Sequence, residues 1–206
     1  SKAIDSRFVS TVTREPRVTN GNPFQVEVGL IFGGDLPGDQ PIQVLRFANR
    51  VPLMYQQGGC LLTKALESVN WKTYGLDHPG GRGIPKGPAA VLIHLASTNV
   101  QFTSEAKEAL ADNTDVFEEI RLAMLEVGRG LRNHLKKKKA KEKAQEKFEL
   151  VNIILPEIHD KVIAILGAEP VPLDPVITKI MNAVFLEEKI EWESETKVTR
   201  ATIEVY

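Results

Sequence analysis

FQVEVGLIF, residues 24–32, decides how the chain is read. Phe24, Val26, Val28, Leu30 and Phe32 fall on one side of an extended chain, with Gln25 and Glu27 on the other. Successive side chains of a strand point to opposite faces, so this alternation makes a strand with one buried face. Before it, residues 1–22 are polar and end in the turn signal TNGNP; they read as a lead-in from another domain. After it, GGDLPGDQP is a loop. IQVLRFANRVPL, residues 42–53, reads as a second strand ending near Pro52. GGCLLTKALESV has Leu62, Ala65, Leu66 and Val69 at helical spacing. A long Gly/Pro stretch, LDHPGGRGIPKGP, reads as a flexible loop, and AAVLIHLAST as a central strand. TSEAKEAL, residues 103–110, is expected to open a helix.

From Thr114 the pattern is helical. Phe117, Ile120, Met124, Val127, Leu131 and Leu135 step by three and four. The stripe thins to Ala140 and Ala144, then resumes at Phe148, Val151, Leu155, Ile158, Val162 and Ile165. Pro156 removes one backbone donor and is expected to kink or restart the helix. The run before it is about 42 residues, or roughly 60 Å of helix, so part of it is expected to project from its domain. DPVITKIMNAV reads as a short helix, and residues 187–206 as a hairpin that begins a further β module. The order of elements is that of an α+β domain with helices on one face of a sheet. The divisions fall at 23–128 for that domain, 129–167 for the long helix and 168–206 for an extension.

Composition excludes several classes. The single cysteine, Cys60, rules out an intrachain disulfide framework and fits a reducing, cytoplasmic setting. No apolar run approaches membrane-spanning length, and the chain reads as a piece of a longer polypeptide. His78, His94, His134 and His159 have no paired ligand spacing, so no metal site is expected. His94 reads as a hydrogen-bonded sheet residue, and Cys60 as a small helix residue. Lys86 is followed by Gly87, not by the Ser/Thr of a phosphate-binding P-loop.

Charge is unevenly spread. The net charge is -1. Yet Arg129, Arg132, Lys136, Lys137, Lys138, Lys139, Lys141, Lys143 and Lys147 face only Glu142 and Glu146 between residues 129 and 147. The residues alone leave three readings open: a solvated shaft, a helix beside a nucleic-acid backbone, or a surface for an acidic protein. Lys107 is equally open. In the first turn of a helix capped by Thr103 or Ser104 it is electrostatically disfavoured, which an anion would relieve; a solvated surface lysine is the plainer reading.

GNPFQVEVGLIFGG, LRFANRVPLMYQ, NWKTYGL, VLIHLASTNVQFTSEAKEALA and EIRLAMLEVGRGL, in this order, resemble the transducer domain of the B subunit of DNA topoisomerase VI, the archaeal type IIB enzyme. The likeness is dense over residues 20–135. It implies the ribosomal-protein-type domain-2-like α+β fold with a left-handed βαβ crossover, shared with gyrase B and MutL relatives in the GHKL ATPase group. A long C-terminal stalk helix and a truncated β hairpin follow. It implies that ATP and Mg2+ are held by a nucleotide-binding domain of the full protein, and that Lys107 reaches the γ-phosphate from a switch loop. It places the family's W-K-x-Y motif on Trp71, Lys72 and Tyr74, as contacts to double-stranded DNA; with the basic Arg132, Lys136, Lys137, Lys138 and Lys139 these make the expected DNA-binding set. It further implies a B-subunit dimer and an A subunit that cuts DNA and meets the stalk end; a plain scaffold that docks the A subunit through Ile158, Val162 and Ile165 is a separate hypothesis. The expected function is coupling of ATP binding and hydrolysis to opening of the A subunit; the alternative is a DNA-binding or subunit-docking module with no switch. Neither ATP hydrolysis nor DNA cleavage is expected of this chain alone, and Tyr206 is not the cleavage tyrosine.

Overall fold

The computed structural model describes residues 7–103, 108–167, 169–170 and 172–179. These divide into two compact units, one reaching His134 and the other starting at Leu135. The expected hairpin at 187–206 lies outside the described residues, as does the second half of the short helix, of which 174–179 is helical.

The first unit is built on a six-stranded sheet. Its strands are β1 (Phe8–Thr13), β2 (Arg17–Thr19), β3 (Asn22–Phe32), β4 (Gln43–Ala48), β5 (Val51–Pro52) and β6 (Ala89–Ser97). The order is β1-β3-β6-β4-β5, with β2 also paired to β3. β3 lies antiparallel to β6, Phe24 opposite Ser97 and Phe32 opposite Ala89. β4 and β6 are parallel neighbours, so the chain between them must cross over, and it does so through α1 (Leu61–Glu67).

Residues 7–22, expected as a lead-in, are part of this sheet. β1 pairs with β3 from Phe8 opposite Phe32 to Thr13 opposite Glu27. The turn signal closes a two-residue hairpin, Thr19 opposite Asn22, with Asn20 and Gly21 both at positive φ. The strands are hard to see in sequence because β1 is covered only in part on either face, so it shows no apolar–polar alternation.

The second expected strand is two. Asn49 (φ 45°) and Arg50 (φ 69°) are both left-handed and turn β4 back into β5. Non-glycine residues rarely adopt this conformation. Here side-chain bonds hold it: Asn49 Oδ1 accepts from Ser97 N at 2.9 Å, and the Arg50 N–H donates to His94 Nε2 at 3.1 Å. The other ring nitrogen of His94, Nδ1, lies 2.7 Å from Glu27 Oε2, so His94 is indeed a bonded sheet histidine. The Gly/Pro loop is also less loose than its composition suggests. Asp77 and Lys86 exchange backbone hydrogen bonds of 3.0 and 2.6 Å across it.

α2 runs from Thr114 to Leu166 and stays helical through Pro156. Asn113 caps its start, Oδ1 accepting from Val116 N at 3.0 Å. In the first unit its stripe is buried at Val116, Ile120, Ala123, Met124, Val127 and Leu131. Phe24, Val26, Val28 and Leu30 of β3 and Val91, Ile93 and Leu95 of β6 are buried with them. Each buried Val, Leu, Ile, Phe or Met among them contributes roughly 1.5–3 kcal/mol. Phe32, expected on this face, is only partly covered. On the opposite face Ile31 and Ala90 are buried instead, because the loop after β3 brings Leu36 over them. No helix among the described residues is long and apolar enough to cross a membrane.

Candidate functional site

The segment that leaves β6 does not open a helix in its described residues. Phe102 bridges Leu110 in antiparallel fashion. Thr103 N donates to Ala109 O at 2.9 Å, and Ala111 N to Gln101 O at 2.9 Å. Two arms, 101–103 and 108–111, therefore run side by side. Burial explains the difference from expectation: Ala109 and Leu110 are 0% and 1% exposed, and seating both in the core holds this arm extended. Of the helix expected over 103–110, Thr103 and residues 108–110 are not helical, residues 104–107 lie outside the described residues, and the next helix begins at Thr114. Lys107 lies outside the described residues; Glu108, next in sequence, does not.

The returning arm is fastened to the crossover region. Leu61 N donates to Leu110 O at 3.2 Å. Lys64 Nζ sits 2.7 Å from Asp112 Oδ1. Gln56 Nε2 donates to Glu108 Oε2 at 2.9 Å. Gln56 is reached by a segment, residues 53–55, that is held from beneath. Arg46 is 4% exposed, and its Nη2 donates to Leu53 O at 2.9 Å and Tyr55 O at 3.0 Å. Its Nη1 is buried with no hydrogen-bond partner among the described residues. Neither Arg46 nor Gln56 could be singled out from sequence, since both contacts join residues whose proximity only the fold creates.

Trp71, Lys72 and Tyr74 share a single-turn 3-10 helix, Trp71–Tyr74. Trp71 is 0% exposed. Its indole Nε1 donates to Leu66 O at 2.8 Å and its backbone N to His78 Nδ1 at 3.3 Å. His78, itself buried, has Nε2 2.9 Å from Gly83 O and so ties this turn to the Gly/Pro loop. Tyr74 is buried too, its ring set edge-on to Trp71 with centroids 6.1 Å apart. Of the three, Lys72 alone is exposed. Of the three expected DNA contacts, Trp71 and Tyr74 thus have buried side chains, and both N–H groups of Trp71 are used inside.

Arg132 is exposed in the first unit, and Lys136, Lys137, Lys138 and Lys139 are exposed in the second. Among them Lys138 lies 3.7 Å from Glu142 Oε1, a loose i,i+4 pair. Lys136, Lys139 and Lys143 follow one another at helical spacing on one side of α2. Further along, Ile158, Val162 and Ile165 are 54%, 44% and 82% exposed. Among the described residues no three His, Cys, Asp or Glu side chains come together as a metal-holding group.

The family model of the topoisomerase VI B subunit transducer matches residues 1–147. The B subunit of type 2 DNA topoisomerase 6 from Natronomonas pharaonis is 45% identical over 190 residues, covering 92% of this chain and 24% of that protein. Those of Methanosarcina barkeri and Archaeoglobus fulgidus are 48% and 47% identical, covering 92% and 93% of this chain and 30% and 31% of theirs. The chain therefore spans about a quarter to a third of the length of these relatives. A solved 43K ATPase domain of Thermus thermophilus gyrase B aligns with 71% of this chain and 43% of its own at 18% identity and a TM-score of 0.37, too slight a likeness to add to the fold.

Proposed function

Because the chain belongs to the transducer family of the topoisomerase VI B subunit, we propose that it is the coupling element of an ATP-driven type II DNA topoisomerase. It would relay ATP binding and hydrolysis to opening of the DNA-cleaving A subunit. The family match over residues 1–147 carries this reading. The finer fold name belongs to the same proposal; the parallel β4–β6 pair supports its crossover, and the left hand of that crossover rests on the family resemblance alone.

In this reading ATP and Mg2+ are held by a nucleotide-binding domain outside this chain, and Lys107 is this chain's group toward them. An ammonium–phosphate hydrogen bond is worth about 1.5–3 kcal/mol. It exists only while the triphosphate does, so hydrolysis changes which arrangement of the two domains is preferred. A ligand shifts an equilibrium only by such a difference in contact. The bridged arms 101–103 and 108–111 support the role, because they hold the residues on either side of 104–107 to the domain. The long helix would pass the movement toward the A subunit, with exposed Ile158, Val162 and Ile165 as the docking side chains. In the whole B subunit, Lys107→Ala is expected to lower ATP turnover by tenfold or more, by the free energy just given, with the fold intact by circular dichroism. Unchanged turnover refutes the role.

A DNA-binding role is favoured by the exposed Lys136–Lys139 run and is compatible with the first. Lys72 joins it as a further phosphate contact, whereas buried Trp71 and Tyr74 act by holding Lys72 in place.

A further inference from the structure

We propose that the glycine loop after the W-K-x-Y turn, residues 78–86, is a second phosphate-contacting element for double-stranded DNA, with Arg82 and Lys86 as its contacts; this rests on the reading of Lys72 as a DNA contact given above. Arg82 and Lys86 are exposed, as is Lys72. None of the three pairs with a carboxylate among the described residues, not even with exposed Asp77 at the base of the loop.

The loop is a frame rather than a slack segment. Its base is closed by the two-way backbone pair of Asp77 and Lys86, and Ile42 N donates to Pro85 O at 2.9 Å. Its middle is held by His78, which is 3% exposed. The ring takes the Trp71 backbone N–H on Nδ1, so its own hydrogen lies on Nε2 and is donated to Gly83 O at 2.9 Å. Burying an imidazole with both nitrogens bonded to backbone, one bond to each segment, fixes the loop against the turn. Lys72 follows Trp71 and Arg82 precedes Gly83, so each cation is next in sequence to a residue that His78 holds. One ring therefore sets two basic side chains that lie ten positions apart. Holding them before the ligand arrives removes part of the ordering cost of binding.

The loop is also open to a close approach. Gly80, Gly81 and Gly83 have φ of 69°, 65° and 78°, and a Cβ on any of them would meet no atom within 4 Å. A phosphate can thus come near the main chain here, as it does at other glycine turns. A duplex backbone is a row of like charges, which suits cations spread over two linked segments. Continuity with Lys72 selects DNA over an acidic protein face. Contacts of this kind position a duplex and read no sequence.

The test uses the whole B subunit and a mixed-sequence duplex, titrated between about 50 and 200 mM salt. Arg82→Gln and Lys86→Gln are each expected to take about 0.9 from the slope of log affinity against log salt, and the double variant about 1.8. Arg82→Lys keeps the charge and is expected to keep the slope. Arg121→Ala is the control: it removes a cation bound to Glu118 on α2, changes the net charge equally and should leave the slope alone. Urea unfolding of the loop variants should match wild type, since both side chains are exposed. An unchanged slope in the double variant, while Lys72→Ala lowers it, overturns the loop contact and leaves the lysine reading standing. An unchanged slope in the double variant and in Lys72→Ala alike overturns both. A slope lowered by Arg121→Ala as much as by Arg82→Gln reports net charge rather than contact, and also overturns the proposal.

Discussion

Gly128 lies against the ring of Tyr74 so closely that a Cβ at this position would stand 2.8 Å from two ring carbons. The absence of a side chain on α2 is what lets the W-K-x-Y turn pack on the helix. Gly128→Ala should therefore destabilise this chain by about 1–3 kcal/mol, the range for overpacking a filled core, although alanine is the better helix former. Urea unfolding measures it. A stabilised Gly128→Ala variant means that the ring shifts at no cost.

The same turn separates fold from contact. Trp71→Ala removes a fully buried indole and its bond to Leu66 O, so a loss of about 3–5 kcal/mol is expected. Lys72→Ala is exposed and should change stability by less than about 0.5 kcal/mol. DNA affinity should move the other way, weakened by Lys72→Ala and unchanged in Trp71→Phe if that variant stays folded. A gel-shift titration against calorimetric stability decides it. Weaker DNA binding by a fully folded Trp71→Phe would mean that the indole itself, with its bond to Leu66 O, is needed to hold Lys72 in place.

What can be read from sequence, and what cannot, follows a physical line. β3, β6, α1 and α2 announce themselves because each keeps one period long enough to mark a buried face. β1 and the β4–β5 turn stay hidden. The first has half-covered residues on both faces, and the second is a non-glycine turn held by His94 and Asn49 rather than by its own composition. At the candidate site the motif residues stand out as a string, but a string does not say which side chain faces inward. Trp71, Lys72 and Tyr74 are close in sequence and opposite in exposure, because one turn of 3-10 helix sends positions 71 and 74 to the same side. Residues 108–110 depart from the expected helix for a related reason. SEAKEA has good helix formers, and tertiary burial of Ala109 and Leu110 outweighs local propensity in the described arm.

Glu119 offers a test of how the first strands are held. It is 4% exposed and takes Arg14 Nε at 2.9 Å on one oxygen and Arg17 Nε at 2.9 Å on the other. Arg14 and Arg17 are themselves 27% and 59% exposed, so losing Glu119 leaves them able to hydrate, whereas losing both arginines leaves a buried charge alone. Arg14→Ala or Arg17→Ala singly should cost under about 1.5 kcal/mol, since the other still pairs the carboxylate. The double variant should cost about 3–5 kcal/mol, more than the two singles together. Additive values from urea unfolding mean that Glu119 needs neither partner.

The basic run on α2 makes the clearest quantitative demand on the DNA reading. Replacing Lys136, Lys137, Lys138 and Lys139 by alanine keeps helix propensity, so the far-ultraviolet spectrum should be unchanged. Each lysine that neutralises a phosphate releases counterions, and each contributes close to 0.9 to the slope of log affinity against log salt. If all four touch the backbone, the whole B subunit should lose between about three and four from that slope, together with most of its affinity at low salt. A loss near one would leave a single contact and make the rest solvated surface. An unchanged slope would mean that DNA never comes near this stretch of α2, and that the charge serves solubility or an acidic protein surface instead.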